Sequence, residues 1–333
     1  MSVVLATYEG ERYLQEQLDT LRQQWRTPDE LVVVDDASSD RTIEIVRRFA
    51  ERAPFKVVVM DRREHRGTSA TFGEAISYAT GDIIVTCDQD DRWYPDKIAF
   101  LVEALEAQPD AFIAFSDAGL IDANGRTIGR SRWRVAGFSP NEQATMSRDP
   151  LGQMLARRVM SGCTAAIRST LIDAVLPIPE PMRPELAGIM YDHWISLVAA
   201  AAGPVVLVPR QLVDYRIHPE QQIGIPGLAA RRWAPNLALR VAQFRASRDE
   251  IDKRMDFDSL HIDEIRRRLA TTGLGSEATE RVLQMAHRHM QSRKALPEER
   301  LRRVGEIVTE LRHEDGYRRF ALGTATAVAD IAR

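Results

Sequence analysis

The run Asp88-Gln89-Asp90-Asp91 places three carboxylates within four residues, directly after the apolar stretch Ile83 to Cys87. Carboxylates this close repel one another, and a hard divalent cation relieves the repulsion. Mg²⁺ or Mn²⁺ accepts one or two carboxylates and leaves its remaining positions to water and phosphate oxygens. An Asp-x-Asp at a strand end therefore suits a diphosphate held through a metal. The simpler use is that Asp88 and Asp91 cap the following turn and helix. A second acidic loop, Asp35-Asp36-Ala37-Ser38-Ser39-Asp40, follows the run Leu31 to Val34. Its carboxylates suit an Asx-turn, a phospho-accepting receiver site, or recognition of a pyrimidine ring N–H with Tyr8 as a stacking face. The receiver chemistry lacks the later strand-end Lys and Thr that it requires.

The elements that must position these loops alternate β-branched runs with helical periodicity, the pattern of a parallel sheet with crossover helices. Strands are expected at Ser2 to Ala6, Leu31 to Val34, Lys56 to Met60, Ile83 to Cys87 and Ala111 to Phe115. Helices are expected at Tyr13 to Gln24, Asp40 to Arg52, Thr71 to Ala79 and Pro95 to Ala107, each with apolar residues on one stripe. In such a sheet ligands bind beyond the carboxyl ends of the strands. Thr7-Tyr8-Glu9-Gly10, the Asp35 loop, Asp61 to Gly67 and the Asp88 loop should then share one rim. From Asp117 to about Arg183 the pattern loosens. Helix resumes at Asp192 to Ala202, followed by strand-like Val205 to Val208 and Leu212 to Ile217.

The chain has 333 residues, 44% of them hydrophobic, which is enough for a full α/β domain and an appendage. A net charge of −3 argues against a nucleic-acid partner. Cys87 and Cys163 have neither disulfide-framework nor zinc spacing, and the first residues carry no secretory signal, so the chain reads as cytosolic. No apolar run reaches the roughly 20 residues that span a bilayer. Both the G-x-G-x-x-G fingerprint and the phosphate loop ending in Gly-Lys-Ser/Thr are missing, which removes the main support for dehydrogenase and P-loop chemistry. Beyond Gly227 the chain becomes helical and charged, with about five more basic than acidic residues. A boundary near residue 227 gives a domain over 1–227 and a helical extension over 228–333.

Five motifs in order resemble glycosyltransferase family 2, in particular its bacterial rhamnosyltransferase-like branch. They are Leu5-Ala6-Thr7-Tyr8-Glu9-Gly10, Val34-Asp35-Asp36-Ala37-Ser38-Ser39-Asp40-Arg41-Thr42, Asp88-Gln89-Asp90-Asp91-Arg92-Trp93, Tyr191-Asp192-His193-Trp194 and Tyr215-Arg216-Ile217-His218. The resemblance covers about the first 225 residues. It implies the type-A glycosyltransferase fold, an α/β fold with a mostly parallel central sheet flanked by helices, and transfer from a nucleoside-diphosphate sugar with inversion. On this resemblance Asp36 binds the nucleobase with Thr7 and Tyr8 beside it, and Arg66 and Gly67 contact base or diphosphate. Asp88 and Asp90 hold the metal and donor diphosphate, with Asp91 adjacent as an alternative ligand. Asp192 is the catalytic base and His218 completes the metal shell. A carboxylate at a helix N-terminus is expected to stay ionised, as a base must.

Departures from the family pattern are Glu9 where asparagine is common, Tyr191 before Asp192, the loosely matching Arg62 to Gly67, and Gln221-Gln222-Ile223-Gly224 in place of an Asn-containing loop. Gly162 and Cys163 are expected to form a close-packed loop near the acceptor. Trp93, Trp133 and Trp194 are expected in the core, His65 at the surface, and His287 and His289 on different helix faces. The implied partners are a dTDP- or UDP-sugar donor and a glycan or lipid-linked acceptor of envelope polysaccharide synthesis. The basic extension suits either subdomain packing with homo-oligomer contact or a peripheral membrane contact, the latter through Arg231-Arg232-Trp233 and Arg318-Arg319-Phe320. A nucleotidyltransferase and a non-catalytic sugar-nucleotide binder remain as alternatives.

Overall fold

The computed structural model of the protein describes residues 1–179, 190–221, 248–312, 316–321 and 324–332. The boundary at 227, the segment 222–224 and the Arg231 to Trp233 motif fall outside the described residues.

The amino-terminal half forms β1 (Ser2–Thr7), α1 (Leu14–Arg22), β2 (Glu30–Asp35), α2 (Thr42–Ala50), β3 (Lys56–Asp61), α3 (Thr68–Tyr78), β4 (Ile83–Cys87), the two-residue β5 (Arg92–Trp93) and α4 (Lys97–Ala107). Then come β6 (Ile113–Asp122), β7 (Thr127–Ser131), short helices α5 (Arg132–Ala136), α6 (Pro140–Met146) and α7 (Pro150–Ala156), β8 (Ala165–Arg168) and α8 (Ile172–Val175). Helix α9 (Tyr191–Ala202) and β9 (Val205–Ile217) complete the sheet region. The extension is α10 (Arg248–Thr272), α11 (Glu277–Lys294), α12 (Arg300–Arg312), α13 (Tyr317–Phe320) and α14 (Thr324–Ala332).

The sheet runs β3-β2-β1-β4-β8-β6-β9-β5, with β7 beside β6. Strands β3, β2, β1 and β4 are parallel, as expected for crossover connections. Beyond β4 the sheet is mixed: β8 inserts antiparallel between β4 and β6, and β9 pairs parallel with β6 but antiparallel with β5. The two strand-like runs at 205–208 and 212–217 are one strand, which absorbs register shifts opposite Ser116 and Asp117.

Alternation along β1 sends Val3 and Leu5 to one face and Val4 to the other, and both faces are covered. The first face packs on Leu14, Leu18 and Leu21 of α1 and on Ile98, Leu101 and Leu105 of α4. The second packs on Phe72 and Ile76 of α3 and on Trp194, Ile195 and Val198 of α9. Ile262, Ile265 and Leu269 of α10 and Leu283 and Met290 of α11 belong to that same core. The extension therefore shares a core with the sheet domain.

Trp93, Trp133 and Trp194 are all buried, as expected. Arg319 forms a two-bonded ion pair with Asp149, at 2.8 and 3.0 Å, and Phe320 is buried. These two side chains face the protein, which removes them from a membrane-contact motif. Among the described residues no helix is long and apolar enough to cross a membrane.

Candidate active site

Register sets the rim. Thr7 lies opposite Asp35, Asp35 opposite Asp61, and Leu5 opposite Cys87, so the loops after β1 to β4 emerge along one edge. Side chains stitch them together. Gln89 donates to the Tyr8 carbonyl at 2.8 Å and accepts from the Tyr8 N–H at 2.9 Å. A Cβ at Gly10 would lie 2.3 Å from that Gln89 oxygen, so the close approach depends on glycine. Glu9 sits at φ 47° and accepts from the N–H and hydroxyl of Ser39, both at 2.9 Å. The departure at Glu9 thus ties the first rim loop to the second.

Asp35 and Asp36 divide the uses open to them. Asp35 makes the turn, accepting from the Ser38 N–H and hydroxyl at 2.8 and 2.7 Å. It also takes the Thr7 hydroxyl at 2.7 Å, so Thr7 is buried and directed at Asp35. Asp36 accepts from the Arg66 and Gly67 N–H groups at 2.9 and 2.7 Å and from Arg62 at 2.9 Å. Burial would raise its pKa, but these donors together hold it below the ordinary carboxylate value. Arg66 reaches Asp36 through its backbone and its residue is exposed, while the Arg62 guanidinium makes the ion pair and also bonds Glu74 and Thr71. The His65 Nδ1 lies 3.0 Å from Asp36, and its ring packs 4.3 Å from the half-exposed Tyr8 ring. His65 is thus part of the rim as well as half-exposed.

The acidic run splits in two directions. Asp90 points outward and pairs with the His218 Nε2 at 2.7 Å, and Glu220 holds the Nδ1 at 3.1 Å. The Asp90 bond, ahead of opposing burial, raises the His218 pKa. Asp91 points inward, is 1% exposed, and accepts from the Arg216 N–H at 2.9 Å. Burial, then Asp90 and Asp88, push its carboxyl well above the usual range. Asp88 stands between them: its ligand oxygen, that of Asp91 and the Cys163 Sγ lie within 4.8 Å of one another. Burial and then Asp90 raise Asp88 to about 7. Carboxylates that resist joint ionisation, with an imidazole beside them, are a donor set that fits Mg²⁺ or Mn²⁺. By distance Asp88 and Asp91 can share one ion with Cys163 beside them, while Asp90 and His218 meet each other on the outer side of the run.

Beneath this cluster the Lys97 Nζ is buried 3.0 Å from the Trp93 ring centroid. Burial, against the pull of Cys87, Cys163 and Asp91, lowers Lys97 to about 7.

Asp192 lies in the first turn of α9. Its oxygens accept from the His193 N–H at 2.7 Å and the Gly162 N–H at 3.2 Å. Burial outweighs these donors, so its pKa is raised, opposite to the direction expected from a helix N-terminus alone. Tyr191 beside it is buried and donates to Asp88 at 3.0 Å. Burial, then Asp88 and Asp192, push its phenol well above the ordinary value, so it acts as a donor. Arg62, Lys97 and Tyr191 were not assigned roles by sequence. Only Lys97 carried a signal, a cation on the buried stripe of α4.

A family model described as Glycosyl transferase family 2 matches residues 2–174. The chain belongs to glycosyltransferase family 2. The "Uncharacterized glycosyltransferase alr2836" of Nostoc sp. is 26% identical over 227 residues, covering 66% of this chain and 65% of the relative. The "Uncharacterized protein Rv1520" of Mycobacterium tuberculosis is 27% identical over 221 residues, covering 66% of this chain and 59% of the relative. The chain thus spans about three-fifths of the length of these relatives. The crystal structure of S. aureus TarS 1-349 in complex with UDP-GlcNAc overlays with a TM-score of 0.56 at 16% identity, covering 99% of this chain and 88% of that one. The fold is that of the type-A glycosyltransferases, as the resemblance implied.

Proposed function

We propose that the protein is an inverting, metal-dependent glycosyltransferase that moves a sugar from a nucleoside-diphosphate donor to a hydroxyl of a glycan or lipid-linked acceptor. The observation that carries this reading is the convergence of Asp36, the Asp88–Asp90–His218 group and Asp192 on one edge of the sheet. Asp36 and Tyr8 form the nucleobase end, with the Arg66 and Gly67 backbone holding the carboxylate in place. Because Asp36 already meets four donors, a base N–H would enter by displacing the His65 ring. A Mg²⁺ or Mn²⁺ ion held by Asp88 with Asp90 or Asp91 and His218 would supply Lewis-acid stabilisation of the charge that grows on the leaving diphosphate. Asp192 takes the proton of the acceptor hydroxyl as that oxygen attacks the sugar carbon from the side opposite the diphosphate. A raised pKa gives this base more driving force for proton removal. Family membership and the fold of TarS, whose structure holds UDP-GlcNAc, support a UDP- or dTDP-sugar as donor. The rhamnosyl branch rests on the sequence motifs.

The test is transfer from a panel of nucleotide sugars with Mg²⁺, Mn²⁺ or a chelator, comparing wild type with Asp90→Ala and Asp192→Asn. Turnover should require metal. Asp192→Asn should lose about 10²- to 10⁴-fold in transfer while still binding donor, and Asp90→Ala should lose metal-dependent donor binding as well. Full activity in Asp192→Asn would reject the base assignment. Conversion of a nucleoside triphosphate to a nucleotide sugar would replace the transferase reading with a nucleotidyltransferase.

A further inference from the structure

The acidic rim and helix α9 meet at a hydrogen bond from the Tyr191 phenol to Asp88 Oδ1 at 3.0 Å. The ring is fixed on both sides. It stacks on Phe72 with centroids 3.7 Å apart and planes 16° from parallel. Across from it stands Gly162, where a Cβ would fall 1.7 Å from the phenol oxygen. Any side chain at 162 would close the path by which Tyr191 reaches Asp88. Gly162 also donates its N–H to Asp192 and accepts the Thr86 hydroxyl of β4 at its carbonyl. One residue without a side chain is therefore shared by the helix that carries Asp192 and the strand that ends just before Asp88.

A buried phenol whose partner is a carboxylate forms a stronger bond than a neutral pair and fixes the carboxylate's orientation. We propose that Tyr191 is a positioning residue, whose O–H sets the orientation in which Asp88 meets the divalent cation. Because Asp192 is the next residue on the same helix, that bond also registers the proton-accepting end of the site against the cation end. This role rests on the reading of Asp88 as a metal ligand and Asp192 as the base. Hydrogen-bond partners of metal ligands typically contribute about 10- to 100-fold in metal affinity.

The experiment is a titration of Mn²⁺, alone and with UDP, followed by the paramagnetic resonance of free Mn²⁺, on the full chain. Wild type, Tyr191→Phe, Gly162→Ala and Asp192→Asn are compared, each with a thermal melt and steady-state kinetics. Tyr191→Phe keeps the stack on Phe72 and removes only the O–H. It should bind Mn²⁺ at least about tenfold more weakly, and its kcat should stay reduced when Mn²⁺ is saturating. Gly162→Ala crowds the phenol from the other side and should also weaken Mn²⁺ binding. A double variant carrying both Tyr191→Phe and Gly162→Ala should bind Mn²⁺ no more weakly than the weaker-binding of the two single variants, since both act through the one bond to Asp88. Mn²⁺ binding by Tyr191→Phe within about twofold of wild type overturns the role, using that tenfold scale. A wild type that takes up no Mn²⁺ overturns the metal reading and this role with it. An active Asp192→Asn overturns the base reading and the registering of Asp192, and leaves the Mn²⁺ titration to judge the effect on Asp88.

Discussion

Replacing Arg62 with methionine should destabilise the protein by about 3 kcal/mol, the lower end of the range for breaking a buried ion pair. The guanidinium is 9% exposed and faces Asp36, which is 2% exposed, and Glu74, which is 26% exposed. Removing it leaves two carboxylates without the cation they share, but the two losses differ. Glu74 has solvent to turn toward. Asp36 does not, yet it keeps the Arg66 and Gly67 N–H groups at 2.9 and 2.7 Å, which places the cost at the low end. The assay is urea unfolding at neutral pH, where an unchanged slope would show that the same surface is exposed on unfolding. The double variant Arg62→Met with Asp36→Asn separates pair energy from general damage, because removing the carboxylate charge also removes the group that Arg62→Met strands. Its loss should be smaller than the sum of the single losses by about 1 kcal/mol or more, as for residues in one network. If Asp36 binds the nucleobase as proposed, Arg62→Met should also weaken UDP binding by roughly tenfold, since the carboxylate gains freedom, a change worth about 1.4 kcal/mol. Additive losses, or a wild-type unfolding midpoint in Arg62→Met, would refute the claim that this guanidinium holds the carboxylate of Asp36 in place.

Glu30 gives a pH prediction away from the site. Burial opposes ionisation, but bonds from the Ser2 hydroxyl and the Thr80 N–H and hydroxyl, at 2.7, 2.7 and 2.8 Å, bring its pKa from 4.5 down to about 2. A folded value below the unfolded one means stability that is present above about pH 4.5 and lost as pH falls toward 2, worth about 3 kcal/mol. Glu30→Gln should flatten that part of the acid-unfolding curve, and an unchanged acid limb would count against it. Gly10→Ala should displace Gln89, whose amide oxygen would lie 2.3 Å from the new methyl, and release the two bonds that pin Tyr8. UDP affinity should fall several-fold with a stability loss of roughly 1 to 2 kcal/mol for the two exposed bonds; calorimetric titration checks the first and unfolding the second.

The parallel half of the sheet was legible because its strands are buried on both faces and read as continuous β-branched runs such as Leu31 to Val34. The rim followed from it, since a parallel strand fixes which end its loop occupies. Strand β8 was not legible: Ala165-Ala166-Ile167-Arg168 is short, lacks alternation, and is held by neighbours about fifty or more residues away in sequence. The same holds for the break at 209–211, which looks like a turn but is absorbed by a register shift. Within the site, the spacing of Asp88 and Asp90 is what points to the proposed metal chemistry. Which of Asp90 and Asp91 faces outward did not follow from spacing, because it depends on the Arg216 N–H of a strand more than a hundred residues later. Arg62 stayed hidden among Arg63 and Arg66 for the same reason. Only the positions of Asp36 and Glu74 single it out.

Helix α9 is gripped from the extension near both ends. Near its start, Arg268 of α10 lies over the Trp194 ring at 5.1 Å and donates to the carbonyls of Val175 and Pro177 at 2.9 and 2.6 Å. Near its end, the Thr279 hydroxyl of α11 donates to the Ala201 carbonyl at 2.9 Å. Such a helix cannot be lent to another protein by itself. A chimera that exchanges everything after residue 247 between relatives, in search of a new acceptor, also exchanges the bearings on which the proposed base is mounted. Recombination should therefore succeed only where the partners of Arg268 and Thr279 travel with them, and a crossover placed between α9 and α10 should yield proteins whose donor chemistry is altered along with their acceptor choice.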